Sequence, residues 1–533
     1  MMRTRVMTAV VAMWLMSGCQ PGASVEDGHL VLDEDGTPAA FALVTARSTD
    51  GHAATTVWAD ADGRVALPHI DGPYELEFRS RRAEAEPRAR VPGADIEAIG
   101  TRLALGGEAD RPNPRGSSFL GQLPDSDFKR ALIVDCGGCH TFDSIRMRSD
   151  GSARSAESWT TALDMMMTLY GPETGFPIIS DRDVTEDVGW LTAALADAPW
   201  PVDSDWPSSS LATIGRAELT EWAVPQPLDL AHDVAVHPSG EILVTGMFTH
   251  LVYRFDPASG TFTTEPIPVE NANPRAIDVD SEGRWWLLLG AAGAVARFDP
   301  GASNWESWPI GMYPHSIALD GDGDVWYNGH FTHEPELIAE LSPETGDVTT
   351  LEVTSAPTPP ESTIPYGLRV GADGVVWGTQ LRGNRLVRHD PSTGDTRTIP
   401  MPTAESGPRR PDVGPDGSIW IPEFGANKIA RFDPESERFQ EFDFPAPDAA
   451  PYVVRVDQVR GTVWIGTGHG DVIGAFDPVT EQFTLYPLPT RGALIRHLDI
   501  DESTGDVWAT YSASPGIGGI LARLRPDVDS PTG

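Results

Sequence analysis

The 533-residue chain carries 78 Asp and Glu against 39 Lys and Arg, a formal net charge of −39, and 40% of it is hydrophobic. That length exceeds what one hydrophobic core organises, so several domains are expected. The acidic balance argues against nucleic acid as a partner, because phosphate-backbone affinity comes from clustered Lys and Arg that release counterions.

Arg3 and Arg5 precede an apolar run from Val6 to Met16, which is too short to span a bilayer and reads as an export signal. Ser17-Gly18-Cys19 resembles a bacterial lipoprotein cleavage box, so residues 1–19 form a lipoprotein signal segment and the resemblance implies lipid on the Cys19 sulfur. An ordinary secretory signal is the alternative. The lipoprotein reading places the protein in the periplasm or at the cell surface, anchored to the membrane through Cys19. Each buried acyl CH₂ there contributes about 0.8 kcal/mol.

Residues 25–105 alternate apolar and polar positions, as in His29–Leu32, Ala42–Thr45, Arg64–Leu67 and Tyr74–Phe78, with turns at Asp35-Gly36, Asp62-Gly63 and Asp71-Gly72. This pattern predicts a small antiparallel β-sandwich. The order Asp-Gly-x-Pro, Ala-Asp-Gly-Arg, Gly-Pro-Tyr-x-Leu resembles the carboxypeptidase regulatory-like family, which implies a non-catalytic domain.

Gly106–Ser118 reads as a linker, after which the period becomes helical over residues 119–198. A short helix from Phe128 to Asp135 delivers Cys136-Gly137-Gly138-Cys139-His140. C-x-x-C-H is the attachment pattern of haem c: two thiols form thioethers and the adjacent imidazole reaches the iron. A Cys136–Cys139 disulfide and a zinc half-site are the alternatives. The next helix runs from Ser155 to Gly171-Pro172 and places Trp159, Leu163, Met166 and Tyr170 on one stripe. Met166 is the candidate sixth ligand, with Met165, Met167 and Met147 as rivals. A last helix, Asp181–Ala196, opens at Ser180 with Asp183 three positions on. The whole resembles the small single-haem cytochrome c domains fused to lyase-like propellers in secreted bacterial proteins.

A second linker, Pro199–Thr213, leads to a repeat array over residues 215–527. Leu243, Trp286, Trp326, Trp377, Trp420, Trp464 and Trp508 recur at intervals of about 40 to 51 residues, each followed by a turn such as Phe255-Asp256-Pro257 or Phe476-Asp477-Pro478. Each unit reads as four short strands, so seven corners predict a seven-bladed β-propeller, and the chain as a whole is mostly β and multidomain. Ala217–Pro225 supplies the outer strand that the seventh unit lacks and closes the ring. The residue that starts each inner strand is His232, Arg275, His315, Tyr366, Arg409, Tyr452 and Arg496 in turn. This ring of donors and aromatic faces suits a small anionic or polyoxygenated molecule; plain lining of a solvated channel mouth is the bland alternative. A loop with His330, His333 and Glu334 is a weaker candidate for a divalent metal.

Pro314-His-Ser-Ile317, Asp416–Glu423 and Asn427–Pro434 resemble repeat phrases of the streptogramin (virginiamycin B) lyase family. That resemblance implies a C–O lyase that opens a cyclic lactone, with His315 as acid/base beside magnesium held by glutamates; Glu423, the one carboxylate in the column three residues past the Trp corner, is the residue of this chain that could act as general base or assist the metal. The family's glutamate two residues before the histidine is Tyr313 here. Three functions follow: haem electron transfer to a redox partner protein, with a propeller that binds a molecule or partner; a lactone lyase; or a non-catalytic sensing or binding lipoprotein.

Overall fold

The computed structural model describes residues 29–32, 37–68, 70, 72–79, 88–92, 102–104, 114–149, 151–172, 174, 177–179, 181–201, 203, 212–330, 336–353, 364–513 and 517–526. The signal segment with Cys19, and Ser180, His333 and Glu334, lie outside them.

Strands dominate, and the repeat array folds into a β-propeller. Five sheets have four strands each, in the chain-order sequence expected of blades, from Ala231–Pro266 to Asp412–Asp443. A sixth, built on Pro451–Pro487, has a fifth strand because Ala212–Ile214 adds in parallel beside Gln482–Pro487. These are six separate blade sheets where the repeat count predicts seven. The unit around Trp508 does not stand alone: its strands Ile495–Asp501, Asp506–Ala513 and Ile517–Pro526 open an eight-stranded sheet. Ala217–Ala223 pairs antiparallel with Ile517–Pro526, as its composition predicts, and its other edge pairs with Ala53–Trp58 of the N-terminal region. Leu43–Ser48, Tyr74–Arg79 and Arg88–Pro92 continue that sheet.

The repeated corner has a simple cause. The indole N–H of Trp286 donates to Asp280 at 2.8 Å and that of Trp326 to Asp320 at 2.9 Å, so each Trp buries its ring and satisfies its donor on the preceding turn. In the following turn, Asp256 and Asp433 accept backbone N–H groups two residues on, at 2.9 Å, while Phe255 and Phe432 enter the blade core.

Between the N-terminal strands and the propeller, the described residues form five helices: α1 (Gly116–Leu120), α2 (Asp127–Cys136), α3 (Ser144–Met147), α4 (Ala156–Tyr170) and α5 (Val184–Leu195). The first of these begins inside the stretch expected to be linker. Ser126 and Ser155 cap α2 and α4 through their side chains, and Asp183 accepts the N–H groups of Thr185 and Glu186 to cap α5. The last helix therefore starts three residues later than its sequence suggests, because a carboxylate at Asp183 reaches two orphan donors at once. Phe128 of α2 packs on Trp190 of α5 with ring centroids 4.8 Å apart. Among the described residues no helix is long and apolar enough to cross a membrane.

Helices and propeller share one hydrophobic core. Leu132 and Val134 of α2, Trp159 of α4 and Leu191 of α5 pack in the same cluster as Ile364, Leu381, Phe424 and Tyr452 of the blades. Ion pairs frame the seam: Lys129 with Asp448 at 2.7 Å, and Asp135 with Arg382 at 3.3 Å and with Arg182 at 2.8 Å.

Candidate functional site

The inner strands bring the predicted ring together. His315 lies 5.9 Å from His232 and 4.5 Å from Tyr366, centroid to centroid, and stacks on His330 at 4.2 Å. Tyr366 and Tyr452 share a hydroxyl–hydroxyl hydrogen bond. The Arg409 guanidinium sits over three rings, 4.6 Å from Tyr366, 4.4 Å from Tyr452 and 4.1 Å from Phe424. Arg275 lies over Tyr313 and contacts Met247 Sδ at 3.0 Å.

Sequence alternation alone assigns one channel residue per blade, and it misses the next shell. The inner strands break register where they meet the channel, between Ala231 and Val234, Pro314 and Ile317, and Pro365 and Leu368. These are β-bulges, in which two consecutive residues face one partner. The freed backbone donors find second-strand side chains: Asp233 N–H donates to Thr245 Oγ1, Ser316 N–H to Asn328 Oδ1 and Gly367 N–H to Thr379 Oγ1, at 2.9 to 3.0 Å. As a result Asp233 turns inward beside His232, bonding its Nδ1 at 2.7 Å, and accepts from Arg410 Nη1 at 2.9 Å. His497 approaches the same carboxylate at 3.8 Å. The polar pairs His232-Asp233 and Arg409-Arg410 at the ring position are the sequence signal that could have revealed this shell.

Burial sets the protonation states. Loss of water pushes His232 and His497 down to about 3 and holds His315 and His330 well below the ordinary histidine range, with nearby guanidiniums adding to the effect. All four are neutral imidazoles at pH 7. Asp233, although buried, is held ionised by Arg410 and the neighbouring histidines.

Glu423 does not join this ring. Its fully buried carboxyl has Ser406, Glu441 and Lys428 as neighbours, and burial together with the Glu441 charge pushes its pKa up to about 8. Tyr313, at the family's glutamate position, donates to Asn273 Oδ1 at 2.7 Å. His315 is therefore surrounded by imidazole, phenol and guanidinium groups. These do not fit magnesium, which takes carboxylate and other oxygen ligands. Among the described residues, the side chains gathered closely enough for a metal are Asp320, Asp324 and Glu340, at a blade turn.

The channel mouth is covered by the C-x-x-C-H segment. Arg496 Nη2 donates to the Cys139 carbonyl at 3.0 Å while its Nη1 donates to the Ser512 carbonyl at 2.7 Å. A Cβ on Gly138 would stand 2.5 Å from Arg409 Nη2, and one on Gly137 would stand 2.5 Å from Nε2 of His469. A Cβ at either position would force these buried side chains to shift. His469, fully buried, packs against Phe142 and Phe424 with centroids 5.2 and 5.5 Å away.

Within that segment Cys136 and Cys139 are free thiols, the first half-buried and the second exposed. Burial and Asp135 push the Cys136 thiol up to about 12, so it stays protonated. His140 Nδ1 lies 3.2 Å from the Thr141 carbonyl, to which it donates so that Nε2 keeps the lone pair, and burial lowers its pKa to about 4. Two unpaired thiols that can form thioethers and a neutral imidazole with a free Nε2 lone pair are the groups that fit haem c attachment and ligation. Met166 and Met167 are half-buried on α4, Met165 is exposed, and Met147 is buried in the core.

Residues 351–525 match the Virginiamycin B lyase family. Among solved structures, selenomethionine-substituted virginiamycin B lyase from Staphylococcus aureus is 21% identical with a TM-score of 0.51, over 58% of this chain and 99% of that one. A catalytically inactive form of the S. aureus enzyme with quinupristin is 20% identical, with the same TM-score and coverage. A streptogramin B lyase structure is 21% identical with a TM-score of 0.51, over 58% of this chain and 97% of that one. No curated protein matches the chain. What this chain has in common with these structures is the β-propeller, on which a lyase-like family region is recognised.

Proposed function

We propose that the protein is an exported electron-transfer protein that carries haem c on Cys136, Cys139 and His140, with the lyase-like propeller as the rigid seat of the haem segment. The observation that carries this reading is the hydrogen bond from Arg496 to the Cys139 carbonyl, beside the close approach of Arg409 to Gly138 and of His469 to Gly137. The ring residues thus hold the C-x-x-C-H backbone rather than line an open funnel. Haem bound there supplies one-electron chemistry. His140 through Nε2 and Met166 through its thioether are the residues that would hold the iron, and the Thr141 carbonyl fixes the orientation of the His140 ring. Lipid on Cys19 would keep this unit at the membrane surface, within reach of a redox partner protein.

The test is expression of the full chain with c-type maturation machinery, then absorption spectra of the purified protein with and without reductant, before and after denaturation. Haem bands that stay with the denatured polypeptide, and that are lost in Cys136→Ala/Cys139→Ala, are expected. Absence of covalent haem in the parent would overturn the reading.

The lyase-family match over residues 351–525 favours a second reading, elimination on a cyclic lactone with neutral His315 as the proton acceptor. It requires the covering segment to move aside. Turnover of a streptogramin B lactone that disappears in His315→Ala would select it; the covered mouth and the missing glutamate predict none.

A further inference from the structure

Four arginines, Arg275, Arg409, Arg410 and Arg496, crowd the channel beneath the C-x-x-C-H segment. Among the described residues only Arg410 of these pairs with a carboxylate, that of Asp233 at 2.9 Å. Arg409 leans on aromatic faces and Arg496 on carbonyls, so these two buried guanidiniums and the part-buried Arg275 stand without a carboxylate partner among the described residues. A buried charge without a partner is strongly unfavourable, whereas a bound anion relieves it.

The atoms left over specify the anion further. Arg410 uses Nη1 on Asp233, and its Nη2 and Nε have no partner; His315 uses Nδ1 on the Tyr366 carbonyl at 3.0 Å, and its Nε2 has none. Both side chains are buried, at 4% and 0% exposure. They are linked through one chain of contacts: Arg410 to Asp233, Asp233 to His232 at 2.7 Å, and His232 to His315 at 5.9 Å. A guanidinium only donates. An imidazole whose Nδ1–H is already spent on a carbonyl can only accept at Nε2. Its neutral state agrees with the direction in which Arg410 and Arg275 shift it. The chamber therefore asks for a ligand that presents a negative oxygen to the arginines and an O–H to His315.

We propose that the closed channel is a binding site for a small hydroxylated oxyanion, a 2-hydroxycarboxylate or a hydrogen phosphate, held by Arg410 and Arg275 with its hydroxyl donated to His315 Nε2. The covering segment Gly137–Cys139 limits the ligand to a small one. This inference uses channel groups alone and stands whether or not the haem reading holds.

The experiment is thermal unfolding of the full chain titrated with glycolate, acetate and inorganic phosphate, at ionic strength held constant with a bulky sulfonate buffer salt that carries neither carboxylate nor phosphate. A ligand that binds only the native state raises the midpoint saturably. Glycolate or phosphate, or both, should do so, and whichever acts identifies the source of the oxyanion. Acetate, which lacks the hydroxyl, should bind at least tenfold more weakly than glycolate. His315→Phe should erase the advantage of glycolate over acetate, and Arg275→Gln should weaken all the anions at least fivefold. If His315→Phe does not fold, the glycolate-to-acetate ratio in the parent and the Arg275→Gln response decide. No saturable shift with any of the three probes, or shifts unchanged in the variants, would overturn the proposal.

Discussion

Glu423 shows how a single residue can be conspicuous in sequence and act elsewhere in structure. As the one carboxylate in its column it looks like a metal ligand or base, yet its neighbours are Ser406, Glu441 and Lys428. Its folded pKa of about 8 lies above the unfolded value of 4.5, so the native state keeps a proton that the unfolded chain gives up. Stability from this group is thus lost as pH rises through that window, by up to about 1.4 kcal/mol per unit. Glu423→Gln should melt at the same temperature as the parent at pH 4 and higher at pH 8. A parent that outlasts the variant at pH 8 would mean the carboxylate is ionised and paired. At this scale the ring residues His232, Arg275, His315, Tyr366, Arg409, Tyr452 and Arg496 were legible, because every blade repeats the same offset. Asp233 and Arg410 were not. Strict alternation points them away from the channel, and a bulge that no local propensity announces turns them in.

The element that makes those bulges tolerable is the second strand. Thr379 accepts from Gly367 N–H at 2.9 Å and donates to the Arg409 carbonyl at 2.5 Å, which ties two neighbouring inner strands together. Asn328 does the same between Ser316 N–H and the Tyr366 carbonyl. Thr379→Val keeps the shape and removes both bonds, leaving a buried donor and acceptor without partners, so chemical denaturation should report a loss of about 1–3 kcal/mol. A loss below about 0.5 kcal/mol would show that water replaces the hydroxyl. Helix boundaries were readable where a Ser cap precedes the apolar stripe, as at Ser155, and slipped at Asp183, where two candidate caps lie close together. The pairing of α2 with α5 through Phe128 and Trp190 joins residues far apart in the chain, and neither stripe names its partner.

For the molecule as a whole, the repeat count predicted the propeller but not where its seventh unit ends. Trp508 and its strands fuse with N-terminal strands because Ala217–Ala223 has two edges and both are paired. Nor does the sequence tell that the C-x-x-C-H motif lies on the ring, since docking depends on tertiary approach at Gly137 and Gly138. One core spans α2, α4, α5 and the fourth to seventh repeats, with ion pairs at Lys129–Asp448 and Asp135–Arg382. Helices and blades should therefore unfold in one transition. Tryptophan fluorescence of the parent and of Trp159→Phe/Trp190→Phe, which silences two helix-borne indoles, is expected to give coincident denaturation curves. Separate midpoints would mean that the helices melt off a surviving propeller.

The two-sided pairing of Ala217–Ala223 also bears on solubility. A propeller closed in the ordinary way leaves its outermost strand with one bare row of N–H and C=O groups, a template for other chains. Here Ala53–Trp58 covers that row over Glu218–Trp222, and Thr55 meets Thr220 hydroxyl to hydroxyl at 3.2 Å. The N-terminal strands thus cover an edge that would otherwise be open to other chains, and a chain trimmed to begin at Ala217 would leave that row of N–H and C=O groups bare.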